Sequence, residues 1–100
     1  MTKKFTPISP GKILLEEFML PLNISQSRLS IDIDVPVTRI NSIIRGKRSI
    51  TADTALRLGK YFNTSPRWWM NMQNQYDLEM AEDEGWNVKE GRIRTLKKAS

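Results

Sequence analysis

Between residues 37 and 48 the chain places Val37, Thr38, Arg39, Asn41, Ser42, Arg45, Lys47 and Arg48, with no acid among them. Hydroxyl and amide groups can hydrogen-bond base edges, and a guanidinium can grip the O6/N7 pair of a guanine with two donors. A cluster of cations can neutralise phosphates, which positions a protein without reading sequence. The set therefore has the chemistry of a face that reads and grips duplex DNA. Arg39 suits a guanine, with a phosphate contact or an ion pair as its alternative. Val37 can meet a thymine methyl. Arg45, Lys47 and Arg48 suit phosphates, the alternative being a generic basic surface.

Other chemistry is poorly provided for. The chain of 100 residues has no His and no Cys. The usual general base, metal ligands and activated thiol are all missing. Glu16 and Glu17 are adjacent, so on a helix they point in different directions. No enzyme activity, metal, cofactor or small-molecule substrate is expected. No run of eighteen apolar residues and no signal-peptide pattern is present, so a cytoplasmic, nucleoid-associated location is expected without a membrane partner.

The net charge of +5 hides a segregation. Asp77, Glu79, Glu82, Asp83, Glu84 and Glu90 face only Lys89 within residues 77–90, a local balance of −5 that leaves +10 elsewhere. This suggests nucleic acid for the basic body and a basic partner for the acidic segment. A solvated helix face is the alternative.

The elements that must hold the basic face follow from local signals. Ser25 is a good N-cap for a helix with Leu29 and Ile33 on its buried side. Asp34 makes the turn, Val35 plugs it from beneath, and Pro36 suits the first turn of the next helix. Ile40, Ile43 and Ile44 stripe that second helix inwardly, and Gly46 closes it in the left-handed conformation. Two short helices and a tight turn thus form a unit able to lay its second helix in a major groove.

Around this unit, Ser9-Pro10 opens a first helix with Ile13, Leu14, Glu17, Phe18 and Leu20 along its stripe, and Pro21 ends it. Thr51 caps a fourth helix from Ala52 to about Phe62, with Ala55, Leu58 and Phe62 inward and Arg57 and Lys60 outward; Asn63 stops it. Ser65-Pro66 opens a fifth, rich in Trp68, Trp69, Met72, Tyr76 and Met80. Trp68 and Trp69 lie about 100° apart on a helix, so both cannot face one core. A homodimer seam of Trp68, Trp69, Met72 and Tyr76 is the preferred reading, since aromatic residues and Met favour interface cores. Completion of the chain's own core is the alternative. Residues 1–8 read as a loose arm with Lys3 and Lys4 available to phosphates. The tail, residues 86–100, is open to strand, helix or disorder.

The chain also resembles a known family. The resemblance spans roughly residues 7–78 and rests on Pro10-Gly11, Glu16-Glu17-Phe18, Ser25-Gln26, Val35-Pro36, Thr38-Arg39-Ile40-Asn41, Arg45-Gly46-Lys47-Arg48, the run Ile50 to Leu58, Ser65-Pro66 before the Trp pair, and Tyr76-Asp77-Leu78. These motifs are similar to those of the HigA antitoxins, also called virulence-associated protein I, within the Cro/cI-like repressor superfamily. The resemblance implies an all-α, five-helix, lambda-repressor-like helix-turn-helix domain over residues 1–80 and a charged extension over 81–100. It also implies a homodimer that represses its own operon from a palindromic operator and neutralises a HigB toxin, a RelE-like ribonuclease. By the same analogy Gln26 contacts a phosphate and buttresses a reading residue. Two positions depart from the family pattern: Asp34, where Gly is usual, and Val37, where a polar or basic side chain is common. A stand-alone repressor, or an interaction module in which the motif is only scaffold, are the competing functions.

Overall fold

A computed structural model describes residues 7–97, all helical or irregular. Lys3 and Lys4 of the expected arm lie outside the described residues. Helix α1, Pro10–Ile13, passes directly into a π-helical segment, Leu14–Met19. Then follow α2, Gln26–Ile33; α3, Val37–Ile44; α4, Ala52–Phe62; α5, Pro66–Asp83; and α6, Trp86–Glu90.

Four helices start on the caps expected of them. Ser9 Oγ accepts from the Lys12 amide at 3.2 Å and Ser25 Oγ from the Arg28 amide at 3.0 Å. Thr51 Oγ1 accepts from the Thr54 amide at 3.4 Å and Ser65 Oγ from the Arg67 amide at 3.1 Å. Each bond satisfies one of the donors that a helix start leaves without an intrahelical partner. Asp34 (φ 57°) and Asn63 (φ 56°) end α2 and α4 in the left-handed region, which short polar side chains tolerate best after glycine. Pro36 differs from expectation. With φ −55° and ψ 140° it stands before α3 as its N-cap and not within its first turn.

The first helix holds the main surprise. It closes on a bond that spans five residues, Leu20 N to Leu15 O at 2.9 Å, and Ile24 N to Met19 O at 2.8 Å then seals the turn over left-handed Asn23. This wider turn re-aims the side chains. In an α-helix Leu14 and Met19 would stand about 140° apart. Here both are buried, with Met19 at 1% exposure and Leu20, expected inside, at 66%. Glu17, placed on the inner stripe by α-helical spacing, is likewise exposed. Pro21 brings no amide to prolong the ladder.

Leu14, Met19, Leu29, Ile33, Val35, Ile40, Ile43, Ile50, Ala55, Leu58 and Trp69 make one contiguous core drawn from the π-helical segment, α2 through α5 and the loops at Val35 and Ile50. Gly11 lets α1 lie directly on the end of α3: a Cβ there would sit 1.8 Å from the Ile43 carbonyl oxygen. Phe18 gathers the aromatic residues, its ring centroid 4.9 Å from Phe62, 5.1 Å from Trp69 and 5.7 Å from Trp68.

Beyond the core, α5 continues three residues past 80, the last residue of the expected domain, and ends at Asp83. Ala81, Glu82 and Asp83 contain no helix breaker, and Gly85 with φ 92° is the first residue that turns the chain. Of the tail undecided from sequence, Trp86–Glu90 forms the short exposed helix α6 beside α5, residues 91–97 are irregular, and 98–100 lie outside the described residues.

Candidate nucleic-acid interface

The outer face of α3 gathers the expected set. Val37 and Thr38 are exposed in its first turn, Asn41 and Ser42 are half-buried beside them, and Arg45, Lys47 and Arg48 are exposed where the helix ends. Gly46, at φ 73°, reverses the chain there. The Lys47 and Arg48 amides then donate back to Ser42 O at 2.9 and 3.2 Å, which folds the cationic loop against the end of α3.

Gln26, the first residue of α2, accepts a hydrogen bond from Asn41 Nδ2 through its Oε1 at 3.2 Å. The pair joins the start of one helix to the middle of the next. Neither α2 nor α3 has an acid in its first turn. Both helix N-termini, positive by their aligned amides, therefore meet approaching anions without a competing carboxylate.

Arg39 takes a distinct position. It is half-buried, and its Nε is enclosed without a hydrogen-bond partner. The surrounding cleft is lined by Arg48, Ser49, Thr51, Asp53 and Thr54. A buried donor left without a partner carries a desolvation cost, so any ligand contact of Arg39 falls to its terminal nitrogens.

Two residues that position this face escaped sequence reasoning. Arg57, expected to point outward, is half-buried; one terminal nitrogen donates to Ile33 O at 2.9 Å and to Asp34 O at 3.0 Å. It thereby satisfies carbonyls left open at the end of α2 and ties α4 to the turn between the motif helices. Its Nε is held by Asp53 at 2.9 Å. Gln73, on α5, is buried and accepts the Ile50 amide at the far end of the cationic loop. The side chains of Arg57 and Gln73 look like ordinary solvated helix positions in sequence, and only the run Asp53-x-x-x-Arg57 hinted at an ion pair.

Tyr61 adds a second tie between α2 and α4, its hydroxyl donating to Asp32 Oδ2 at 2.5 Å. That hydrogen bond, with partial desolvation and the Asp32 charge, raises the phenol above its ordinary value.

The expected seam divides. Trp69 is at 0% exposure and belongs to the core of its own chain, with its indole N–H donating to Thr64 Oγ1 at 2.8 Å. It is thus no surface residue, and the 100° offset leaves Trp68 as the outward member of the pair. Trp68 (41% exposed), Met72 and Tyr76 instead line a shallow groove with Ile8 and Ile13 of the first helix region. The acidic residues lie on the second half of α5 and on α6. No helix among the described residues is long and apolar enough to cross a membrane.

Comparison with known proteins places this geometry. The helix-turn-helix profile HTH_3 matches residues 15–69. Virulence-associated protein I of Dichelobacter nodosus is 49% identical over 81 residues, 81% of this chain and 75% of that protein. The structure of Pseudomonas aeruginosa antitoxin HigA with the higBA promoter is 41% identical and superposes with a TM-score of 0.86, covering 91% of this chain and 99% of that one. An addiction module antidote protein of the HigA family from Coxiella burnetii is 40% identical with a TM-score of 0.85, over 92% of this chain and 100% of that one. With its motif helices matched throughout and such identity over most of its length, the chain belongs to the HTH_3 helix-turn-helix family, in the group of virulence-associated protein I and the HigA antitoxins.

Proposed function

We propose that this helix-turn-helix protein is an antitoxin that represses its own operon. It binds a palindromic operator as a homodimer and neutralises a HigB-like, RelE-type toxin. In this reading α3 enters the major groove, with Val37, Thr38, Arg39, Asn41 and Ser42 toward base edges. Gln26, Arg45, Lys47 and Arg48 hold phosphates. The observation that carries it is the Gln26–Asn41 pair at 3.2 Å on a face whose helix starts bear no acid. Support comes from the P. aeruginosa HigA, itself solved with promoter DNA. The chain is no enzyme; its family consists of helix-turn-helix regulators and antitoxins.

Trp68, Met72 and Tyr76 form the seam between the two copies, since half-sites about 34 Å apart need a fixed twofold pair. The acidic faces of α5 and α6 are suited to a basic toxin, and the site of action is the bacterial cytoplasm, at the nucleoid.

A gel shift with the chain's own promoter tests the DNA half. With about six phosphates engaged per dimer, log K should fall with log salt at a slope of about −5. No shift at low salt would remove the reading. Co-expression with the adjacent open frame tests the other half: co-purification and relief of growth arrest are expected. A promoter shift without any co-purifying partner would instead identify a stand-alone repressor.

A further inference from the structure

The buried Gln73 and the Tyr76-Asp77 pair of α5 find no use in the face of α3, yet Gln73 bonds the end of the loop beside it, and Tyr76 and Asp77 face that loop across a cleft. Gln73 is only 5% exposed, and both ends of its side-chain amide are engaged. Its Oε1 accepts from the Ile50 amide at 2.7 Å, and its Nε2 donates to Asp77 Oδ1 at 2.9 Å, four residues along α5. Loop 46–49, which carries Lys47 and Arg48, is therefore pinned at both ends. Its start is held by Ser42 O, and its end by Ile50, with the side chain in the core and the amide on Gln73. Between the pins the loop is not packed flat on α5. A cleft of about 230 Å³ lies between Gly46, Lys47 and Arg48 on one side and Tyr76, Asp77 and Met80 on the other.

We infer that Gln73, oriented by Asp77, is a positioning residue for the phosphate grip of Lys47 and Arg48. The chemistry of the pair is directional. A carboxylate only accepts, so Asp77 draws the NH2 end of Gln73 toward itself and leaves the carbonyl end for the Ile50 amide. A buried amide must find a partner. A partner on a packed helix fixes the loop, whereas a water would let it drift. Cations borne on a fixed loop lose less freedom when they meet phosphates, so the grip is stronger for the same set of phosphates. The latch reads no base, and it acts equally on any duplex.

The inference rests on the DNA-binding reading above, and its test keeps the two apart. The full-length chain is titrated onto its own promoter duplex and onto a random duplex of equal length, by fluorescence anisotropy, across about 50–200 mM salt. Exchange of the Ile50 amide is followed by NMR. Gln73→Met keeps the bulk and removes both bonds. Exchange at Ile50 should accelerate at least about tenfold. Affinity should fall by roughly five- to tenfold on both duplexes, with their ratio unchanged, and the salt slope should become less steep by about 1 for each phosphate that is no longer gripped.

Asp77→Asn retains an acceptor and should bind as well as the wild type or better, while Asp77→Ala should weaken binding in parallel with Gln73→Met. Asp77 is exposed, so its variants carry the test if Gln73→Met does not fold. Equal tightening by Asp77→Asn and Asp77→Ala would show a charge effect alone and overturn the latch. So would rapid Ile50 exchange with wild-type affinity and salt slope, or a loss confined to the promoter duplex. Failure of the wild type to bind either duplex at low salt would instead remove the DNA-binding reading itself.

Discussion

The side chains of Gln26 and Asn41 meet at 3.2 Å, so the first residue of α2 and the middle of α3 act as one unit. Fifteen residues apart in sequence, they are joined because the turn at Asp34 and Val35 brings the two helices together. A reading side chain held by a neighbour loses less rotamer freedom on binding than a free one. Replacing either residue by alanine should weaken binding to the chain's own promoter. The double variant should lose less than the sum of the two, with a coupling of at least about 0.5 kcal/mol. Simple additivity in a double-mutant cycle would mean that the pair does not act together on DNA.

Arg39 has its Nε enclosed and unbonded. Removing the side chain therefore breaks no hydrogen bond at that nitrogen and should leave folding stability nearly unchanged. On DNA, Arg39→Ala should cost about 1–3 kcal/mol and relax preference at one base pair of the operator. An equal loss on promoter and random duplexes would reassign Arg39 to a phosphate.

Arg57 holds the turn of the motif through the Ile33 and Asp34 carbonyls, and Asp53 holds Arg57. Arg57→Ala leaves those carbonyls without their charged donor and should destabilise the fold by about 1–2 kcal/mol. For a domain of this size that lowers Tm by roughly 5–15 °C. Asp53→Ala removes only an exposed ion pair and should cost less than about 1 kcal/mol. Thermal melts of the two variants check the order; a larger loss for Asp53→Ala would be inconsistent with Arg57 acting through the turn.

Tyr61 supplies a pH dependence with a defined sign. Its hydrogen bond to Asp32 raises the phenol pKa, so the folded state keeps that proton more tightly than the unfolded chain does. The stability from this bond is fully present below the unfolded phenol value of about 10 and is lost as pH rises through the folded one. As pH rises above about 10 the wild type should therefore lose more stability than Tyr61→Phe, and the two curves should converge once the folded phenol has ionised. Parallel melting curves across that range would show that the bond contributes nothing.

What the sequence determined by itself was everything set by chemistry within a few residues. Ser9, Ser25, Thr51 and Ser65 cap amides two or three positions on, and Asp34, Asn63 and Gly46 turn the chain because short polar side chains tolerate positive φ and glycine has no Cβ to oppose it. The outward face of α3 was legible for the same reason, since a helix of eight residues with Ile40 and Ile43 buried leaves little choice for the rest. Tertiary structure decided what depends on distant partners. The π segment trades Leu20 for Met19 because the core needs a side chain there that α-helical spacing does not deliver. Trp69 and not Trp68 is inside because Phe18 and Thr64 receive it. Arg57 and Gln73 support the helix-turn-helix and the loop after it through carbonyl and amide groups 23 or 24 residues away. No local pattern encodes those meetings, because they exist only once burial of the shared core has brought α4 and α5 against the helix-turn-helix.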